Sequence, residues 1–592
     1  MQAFRQLAEV FQKLERTSSS LTLVTLLAEF LSRLNPNEAR AVAYLLRGEL
    51  APPFASLEIG MAERMAVRAV ADAYSVPQQR VERLLTTTGD LGTVAETLAG
   101  AKRGRAASIL FIFDELRSIA GIVGKGSQAE KCKRLAWLLS SASAVEAKYI
   151  VRTVLGAHRI GVADMTFLRA LAKAYAGSAE NKRIAEAAYN VLSDLGEVSR
   201  RMARSGLAGL KRVIPVAGIP VRMMLASRVQ DLRDVPKHIR GRMLIEYKYD
   251  GERVQIHCDK DGHVHAFSRR LERITHQYPE IIDAVSKSDV PRNTILEGEI
   301  VAFDSKADRL FSFQTLMRRR RKHDVSSYIQ KVPIALFAFD LLLIRNRSLI
   351  GEPLLERRTL LESWVRQSRR IRWSQCTVSS DIAVIESSFH DALAHGAEGV
   401  VIKTAAGPYQ AGKRGWHWIK FKREYQKQLA DTFDLVVVGA IYGKGHRAGS
   451  YGSLLLASFD PATNRYYSLT KVGAGFSDKL LGDLPKILKR FATPKRHRLV
   501  ETRMAADVWF EPVKVVEVAG AELTISPVHT VAQNWLKRGG LALRFPRFVR
   551  FRDDKAAEQS TSVREIYDMY RSATAKRERR RARRQSPTGR SS

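Results

Sequence analysis

Hydrophobic spacing changes its period near residue 210, so no single architecture accommodates the whole chain. Before that point Phe4, Leu7, Phe11 and Leu14 recur three or four apart, and "TSSSLTLVTLLAEFLSRL" sets serines ahead of Leu23, Leu26, Leu27, Phe30 and Leu31. That spacing is one buried face of a helix with a serine cap, and it predicts helices throughout the first part. The pattern breaks in "GLKRVIPVAGIPVRMMLAS", where Pro215, Gly218 and Pro220 mark a boundary. Beyond it "RVQIH", "HVHAFS", "TILEGEIVAF", "IALFAFDLLLI" and "GVVIK" read as strands, and "PLLERRTLLESWVRQ" reads as a helix, which predicts an α+β domain. A polar bridge, "KREYQKQLADT", leads to five more β-like runs from "FDLVVVGAIYGKG" to "LRFPRFVRFR", as expected of a small barrel of the OB kind. The closing "AKRERRRARRQSPTGRSS" has charge without apolar partners and is expected to be disordered. The expected divisions of the 592 residues are therefore 1–210, 211–425, 426–570 and 571–592.

Charge narrows the function. Lysine and arginine number 97 against 61 aspartates and glutamates, a formal +36 with a pI near 10.3. An excess this large repels itself unless a polyanion offsets it, so nucleic acid is the expected partner. A membrane is not expected: the longest apolar run, Ile334 to Ile344, is short and interrupted by Asp340, and the acidic N-terminal stretch lacks the features of a signal peptide. A cytoplasmic protein follows as the expectation. Cys132, Cys258 and Cys376 are few, odd in number and far apart, so they are expected to be reduced, partly buried residues and not a disulfide or zinc framework.

Several apolar strands are interrupted by charge. Alternation places Lys248 and Asp250 of "YKYDG" on one face, as it does Glu297 with Glu299 and Lys420 with Lys422. An unpaired charge inside an apolar strand is costly, so carboxylates in "LEGEI" and "AEGVVIK" need a cation or a metal. One pair alone would suggest a structural ion pair. Four interrupted strands in a strongly basic protein point to a polar site. A phosphate-loop reading of "GPYQAGKR" is rejected, because Arg414 stands where Ser or Thr would bind magnesium and "GWHWIKF" reads as a strand.

In this order the motifs resemble those of the ATP-dependent DNA ligases of archaeal type, within the covalent nucleotidyltransferases. The lysine motif is Lys248-Tyr-Asp250-Gly251, followed by "FSRR" with Arg269, "LEGEIVAFD" with Glu299, "FAFDLL" with Phe339, "EGVVIK" from Glu398 to Lys403, and "WIKFK" with Lys420 and Lys422; Arg552 and Lys555 of "LRFPRFVRFRDDK" resemble the last motif. "LERTSS", "LEIGMAE", "GDLGTVAE" and "HRIGVAD" resemble the family's DNA-binding domain, so nearly the whole chain is covered. Methionine in "RMMLA", where the family commonly has proline, and the basic tail depart from the pattern without touching the chemistry.

The resemblance implies a helical DNA-binding domain, an adenylation domain and an OB-fold domain, which use ATP and Mg2+ to seal nicked double-stranded DNA in replication, repair and recombination. It implies that Lys248 attacks the α-phosphorus of ATP and holds AMP. A free lysine is neutral in roughly one molecule in a few thousand at pH 7, so cations around it, Lys420, Lys422, Arg253 and magnesium, are expected to favour the neutral amine. Asp250 is implied as an orienting partner, or as a site for metal or proton relay. Glu299 and Glu398 are implied magnesium ligands, Phe339 the ring that stacks on adenine, and Glu246 a contact to the base through backbone or side chain. Arg253, Arg269, Arg414 and Lys420 would hold ribose and phosphates, while Arg552 and Lys555 would orient pyrophosphate after a swing about residues 423–432.

Individually, Phe339 could be core, Arg269 a surface ion pair, and Arg544 or Arg547 DNA-facing; Lys444 and Arg447 could also contact DNA. An RNA ligase or capping enzyme would share the lysine chemistry but not the helical domain, and a silent scaffold would have no need of Lys248, Glu299 and Lys420. The resemblance further implies a monomer associated with the nucleoid, with a sliding clamp as a possible recruiting partner. If about six phosphates are neutralised, affinity for nicked duplex is expected to fall on the order of a thousandfold between about 50 and 200 mM salt. Anisotropy titrations at several salt concentrations check this; an affinity that barely moves contradicts the electrostatic reading.

Overall fold

The computed structural model describes residues 1–582 except 18, 101–103, 105, 157, 159, 230, 306–307, 312, 318, 320–331, 423–431, 444–449 and 521. The chain forms two compact units, Met1–Gln426 and Lys427–Ser592.

The first unit begins with α-helices from Phe4–Glu15 to Leu195–Ser205. Phe4, Leu7, Phe11 and Leu14 are fully buried on one face of the first helix, as their spacing requires. Polar caps set the starts: Ser19 accepts the N–H of Thr22, and Asn35 accepts that of Glu38, whose carboxylate accepts the N–H of Asn35 in return. After a short 3-10 turn, Gly206–Leu210, the chain runs extended and is pinned by Arg222, which donates its N–H to Asn190 and lays its guanidinium 4.6 Å from the Tyr189 ring.

Two sheets follow. The first has strands in the order Leu225–Arg228, Arg414–Lys422, Gly399–Thr404, Met243–Lys248 and Cys376–Ser379. The second runs Val264–Ser268, Glu252–Cys258, Thr294–Asp304, Ile334–Ile344 and Arg347–Ser348. "GWHWIKF" is thus strand, as expected. The chain crosses between the sheets in the three residues Tyr249, Asp250 and Gly251, so Asp250 lies just past the strand that carries Lys248. Helix Ile382–Ala394 covers the first sheet, burying Ile385 and Phe389 with Val400 and Ile402. Cys132 and Cys258 are buried and Cys376 is half-buried, all as free thiols.

Strand Ile334–Ile344 is buried at every position, Asp340 included. Arg357, on helix Leu354–Trp364, makes this tolerable: its Nε and second guanidinium nitrogen donate to the two Asp340 oxygens at 2.7 and 3.0 Å, and a third donor reaches the Glu352 carbonyl.

In the second unit, strand Thr432–Tyr442 pairs antiparallel with Tyr451–Asp460 on one edge and with Val508–Phe510 and Val515–Ala519 on the other. Leu435, Val437, Leu454, Leu456 and Leu469 form its core at alternating positions. All five expected strands are present, joined by a helix, Asp478–Lys489, that the sequence reading did not anticipate. The tail needs a larger correction: residues up to Ala582 belong to helix Val563–Ala582 and are not disordered. Alanine, arginine, lysine and glutamate are strong helix formers, so a charge run there does not oppose a helix. Residues 583–592, most of the bridge at 423–432, and Lys444 and Arg447 lie outside the described residues.

Removing the Asp340 carboxylate strands a buried guanidinium. Asp340→Ala is expected to cost about 3–5 kcal/mol in denaturant unfolding. A loss below about 1 kcal/mol, the range of exposed pairs, would contradict this reading of the core.

Candidate active site

A cavity of about 490 Å3 opens where the two sheets meet. Glu246, Lys248, Arg253 and Arg269 line it along one stretch of chain, Glu299 and Phe339 line it from the second sheet, and Arg414 and Lys420 from strand Arg414–Lys422. Two glycines allow this convergence. A Cβ on Gly251 would stand 2.3 Å from the Ile300 carbonyl and 2.9 Å from Cγ of Glu299, so only glycine lets the lysine turn approach the Glu299 strand. At Gly399, paired with both Lys248 and Lys422, a Cβ would meet the Phe421 carbonyl at 2.1 Å.

Lys248 does not sit among cations alone. Its Nζ lies 2.9 Å from Oε2 of Glu398, and Lys422 Nζ approaches the same oxygen at 2.6 Å. The Glu398 N–H also donates to the Lys248 carbonyl, which fixes the two residues face to face. Beside the expected cations, strand pairing places the Glu398 carboxylate against the amine. Oε2 is buried between the two ammonium groups.

Three carboxylates share this corner. Burial pushes the Glu299 carboxyl up to about 7; Lys248 and Arg253 pull it down, while Glu398 and Asp250 repel its charge. Asp250 is likewise raised, by burial above all, although its carboxylate accepts the Phe313 N–H at 2.9 Å. Burial also raises Glu398, but Lys248 and Lys422 outweigh it and hold the group below its ordinary value. Crowded oxygens that resist ionising together are a donor set suited to a hard dication, and Glu299 and Glu398 fit that group. On the other side, burial lowers the Lys420 ammonium, helped by Lys422, Lys248, Arg414 and Arg269. Cations that repel one another face an open cavity, an arrangement that an anionic ligand relieves.

The aromatic wall is Phe339, 9 % exposed, set edge-on to Trp418 at 6.1 Å. Lys403, to which the sequence reading gave no role, lies 4.3 and 4.4 Å from these two rings and donates to Glu246 at 2.7 Å. The Glu246 side chain is thereby held by Lys403, with Arg358 at 3.8 Å. Arg253 is similarly engaged: it donates to the fully buried Glu297 and to the Met224 carbonyl, and Tyr409 donates to the other Glu297 oxygen at 2.9 Å. The alternation Val401, Lys403, both lining the cavity's side of their strand, was the signal that could have found Lys403.

Arg552 and Lys555 belong to the second unit. There both donate to Asp434, Arg552 at 3.0 Å and Lys555 at 2.7 Å, and Arg552 also pairs with Asp554.

Three family models match the chain: "DNA ligase N terminus" over residues 3–172, "ATP dependent DNA ligase domain" over 223–422, and "ATP dependent DNA ligase C terminal region" over 447–555. A DNA ligase of Hyperthermus butylicus is 42 % identical over 590 residues, covering 96 % of this chain and 97 % of the relative. One of Aeropyrum pernix is 42 % identical over 588 residues, with 96 % and 98 % covered. One of Sulfurisphaera tokodaii is 40 % identical over 591, with 97 % and 98 % covered. Among solved structures, Pmar-Lig_PreS3 shares the fold, with a TM-score of 0.55 at 19 % identity over 92 % of this chain and 98 % of that one.

The shifted Glu299 carboxyl has a measurable consequence. Because its folded value is raised, to about 7, its contribution to stability is full below the ordinary 4.5 and is lost as pH rises through 7. Glu299→Gln is therefore expected to raise Tm by a few degrees at pH 8 and hardly at pH 5, read by thermal unfolding. An equal shift at both values would contradict the assignment.

Proposed function

The chain belongs to the ATP-dependent DNA ligase family, and from that premise we propose that Lys248 is the residue that takes AMP from ATP and passes it to the 5′-phosphate at a nick. The protein is a DNA ligase that seals nicked duplex DNA. The observation that carries the proposed route is Lys248 itself, lining the cavity and held 2.9 Å from the Glu398 carboxylate.

In the first step the ammonium gives up one proton to become the attacking amine, the Nζ–phosphorus bond forms as the bond to pyrophosphate breaks, and the nitrogen releases its second proton, both protons passing to solvent. In the second, an oxygen of the 5′-phosphate attacks the same phosphorus and the lysine nitrogen leaves with a proton. The 3′-hydroxyl then forms the phosphodiester and releases AMP. Phe339 and Trp418 offer adenine an apolar wall, and Glu246, its carboxylate held by Lys403, meets the base through its backbone or side chain. Arg269, Arg414, Lys420 and Lys422 hold ribose and phosphates. Arg253 positions the aromatic wall, since Glu297 takes its donors. Asp250, held by the Phe313 N–H, orients the turn that carries the lysine.

Glu299 and Glu398 would hold Mg2+, which supplies charge neutralisation at the phosphates when bound. Arg552 and Lys555 would exchange Asp434 for the pyrophosphate leaving group. The second unit is read as an OB-type barrel, supported by its central strand Thr432–Tyr442 pairing on both edges. The chain is read as helical to 210, adenylation domain to 425 and barrel beyond, a reading supported by the end of the α-helices at Ser205 and of the first compact unit at Gln426, with helix Val563–Ala582 following the barrel strands. Among the described residues no helix is long and apolar enough to cross a membrane.

Intact-mass spectrometry after ATP and Mg2+ tests this. The wild type is expected to gain one AMP and to lose it on addition of nicked duplex, while Lys248→Ala gains none. An AMP adduct that persists in that variant would overturn the assignment.

A further inference from the structure

Strands Glu252–Cys258 and Val264–Ser268 form a hairpin whose turn reads Asp259-Lys-Asp261-Gly-His263-Val-His265. Cys258 pairs with Val264 next to this turn, whereas Val254 pairs with Ser268 at the far end, beside Arg253 and Arg269 of the nucleotide cavity. The turn is therefore not part of that cavity, and adenylation makes no use of its side chains.

Two imidazoles converge there on one carboxylate. Oδ1 of Asp259 accepts the N–H groups of Asp261 and His263 at 3.0 and 2.8 Å, which fixes the side chain. Its Oδ2 lies 3.0 Å from Nε2 of His265 and 3.6 Å from Nδ1 of His263. Asp259, Asp261 and His263 each offer a ligand atom within 4.8 Å of the others. Donors bound tetrahedrally at about 2.0–2.1 Å stand about 3.3 Å apart, close to the 3.6 Å between Asp259 and His263. His265 and Asp259 are mostly buried, at 18 and 19 % exposure, while His263, at 73 %, is free to adjust. The nearby cation Lys260 reaches Asp261 only at 3.9 Å and in solvent, a weak competitor.

We propose that this hairpin binds a first-row transition dication of the zinc, cobalt or nickel kind, held by Asp259, Asp261 and His263, with His265 orienting the Asp259 carboxylate. Imidazole nitrogen with carboxylate oxygen selects such ions over magnesium or calcium. The bound ion closes the turn and stiffens both strands, and so steadies Arg253 and Arg269 at their other ends.

Full-length protein in excess Mg2+, which keeps the adenylation carboxylates occupied, is titrated with Zn2+ by calorimetry and with Co2+ by visible absorption. One equivalent is expected, with a rise in Tm. In His263→Ala/His265→Ala the affinity should fall about 100-fold or more while lysine adenylation is retained. The single change His263→Ala, at an exposed position, gives the same reading should the double variant fail to fold. Unchanged stoichiometry and affinity in these variants, binding only at millimolar metal, or a preference for Ca2+ would overturn the proposal.

Discussion

The active site depends on the chain passing from one sheet to the other within three residues. Lys248 ends a strand of the first sheet and Glu252 begins a strand of the second, so the motif between them is also the seam of the domain. Gly251 makes the seam tight enough for Glu299 to reach the lysine, and Gly399 brings Glu398 against it from the opposite side. Substituting either glycine would separate the sheets where the reacting groups meet. The buried Asp340–Arg357 pair holds strand Ile334–Ile344 of the second sheet to its covering helix.

Around the seam, charges of like sign are gathered at a cost. Glu299 and Asp250 resist ionising, and Lys420 resists protonation. A fold selected for stability alone would intersperse these groups. Here the carboxylates await a dication and the ammonium groups await phosphates, so ATP with its metal supplies the charge that the protein lacks. The Lys248–Glu398 pair fits the same logic, since it holds the nucleophile in place.

Much of this was legible from local pattern. Strand alternation located Lys248, Glu299, Lys420 and Lys422, and glycines beside charges marked the close approaches. What sequence did not show were partners remote in the chain. Glu246 meets Lys403 across 157 positions, and Arg253 meets Glu297 across 44, so a residue read as a free ligand group proved to be already engaged. Asp434, which pairs with both Arg552 and Lys555, was invisible for the same reason. The tail was misjudged differently: lack of apolar residues argued against burial, but helix Val563–Ala582 draws on propensity in its charged part.

The central claim is that carboxylates held against their preference receive the dication on which adenylation depends. Its most direct test is the pH dependence of single-turnover AMP transfer to Lys248 at subsaturating ATP and Mg2+, a condition that reports ionisations of the free enzyme. The account requires the rate to climb as pH rises through about 7, following Glu299. A rate independent of pH between 5.5 and 8.5 would contradict it.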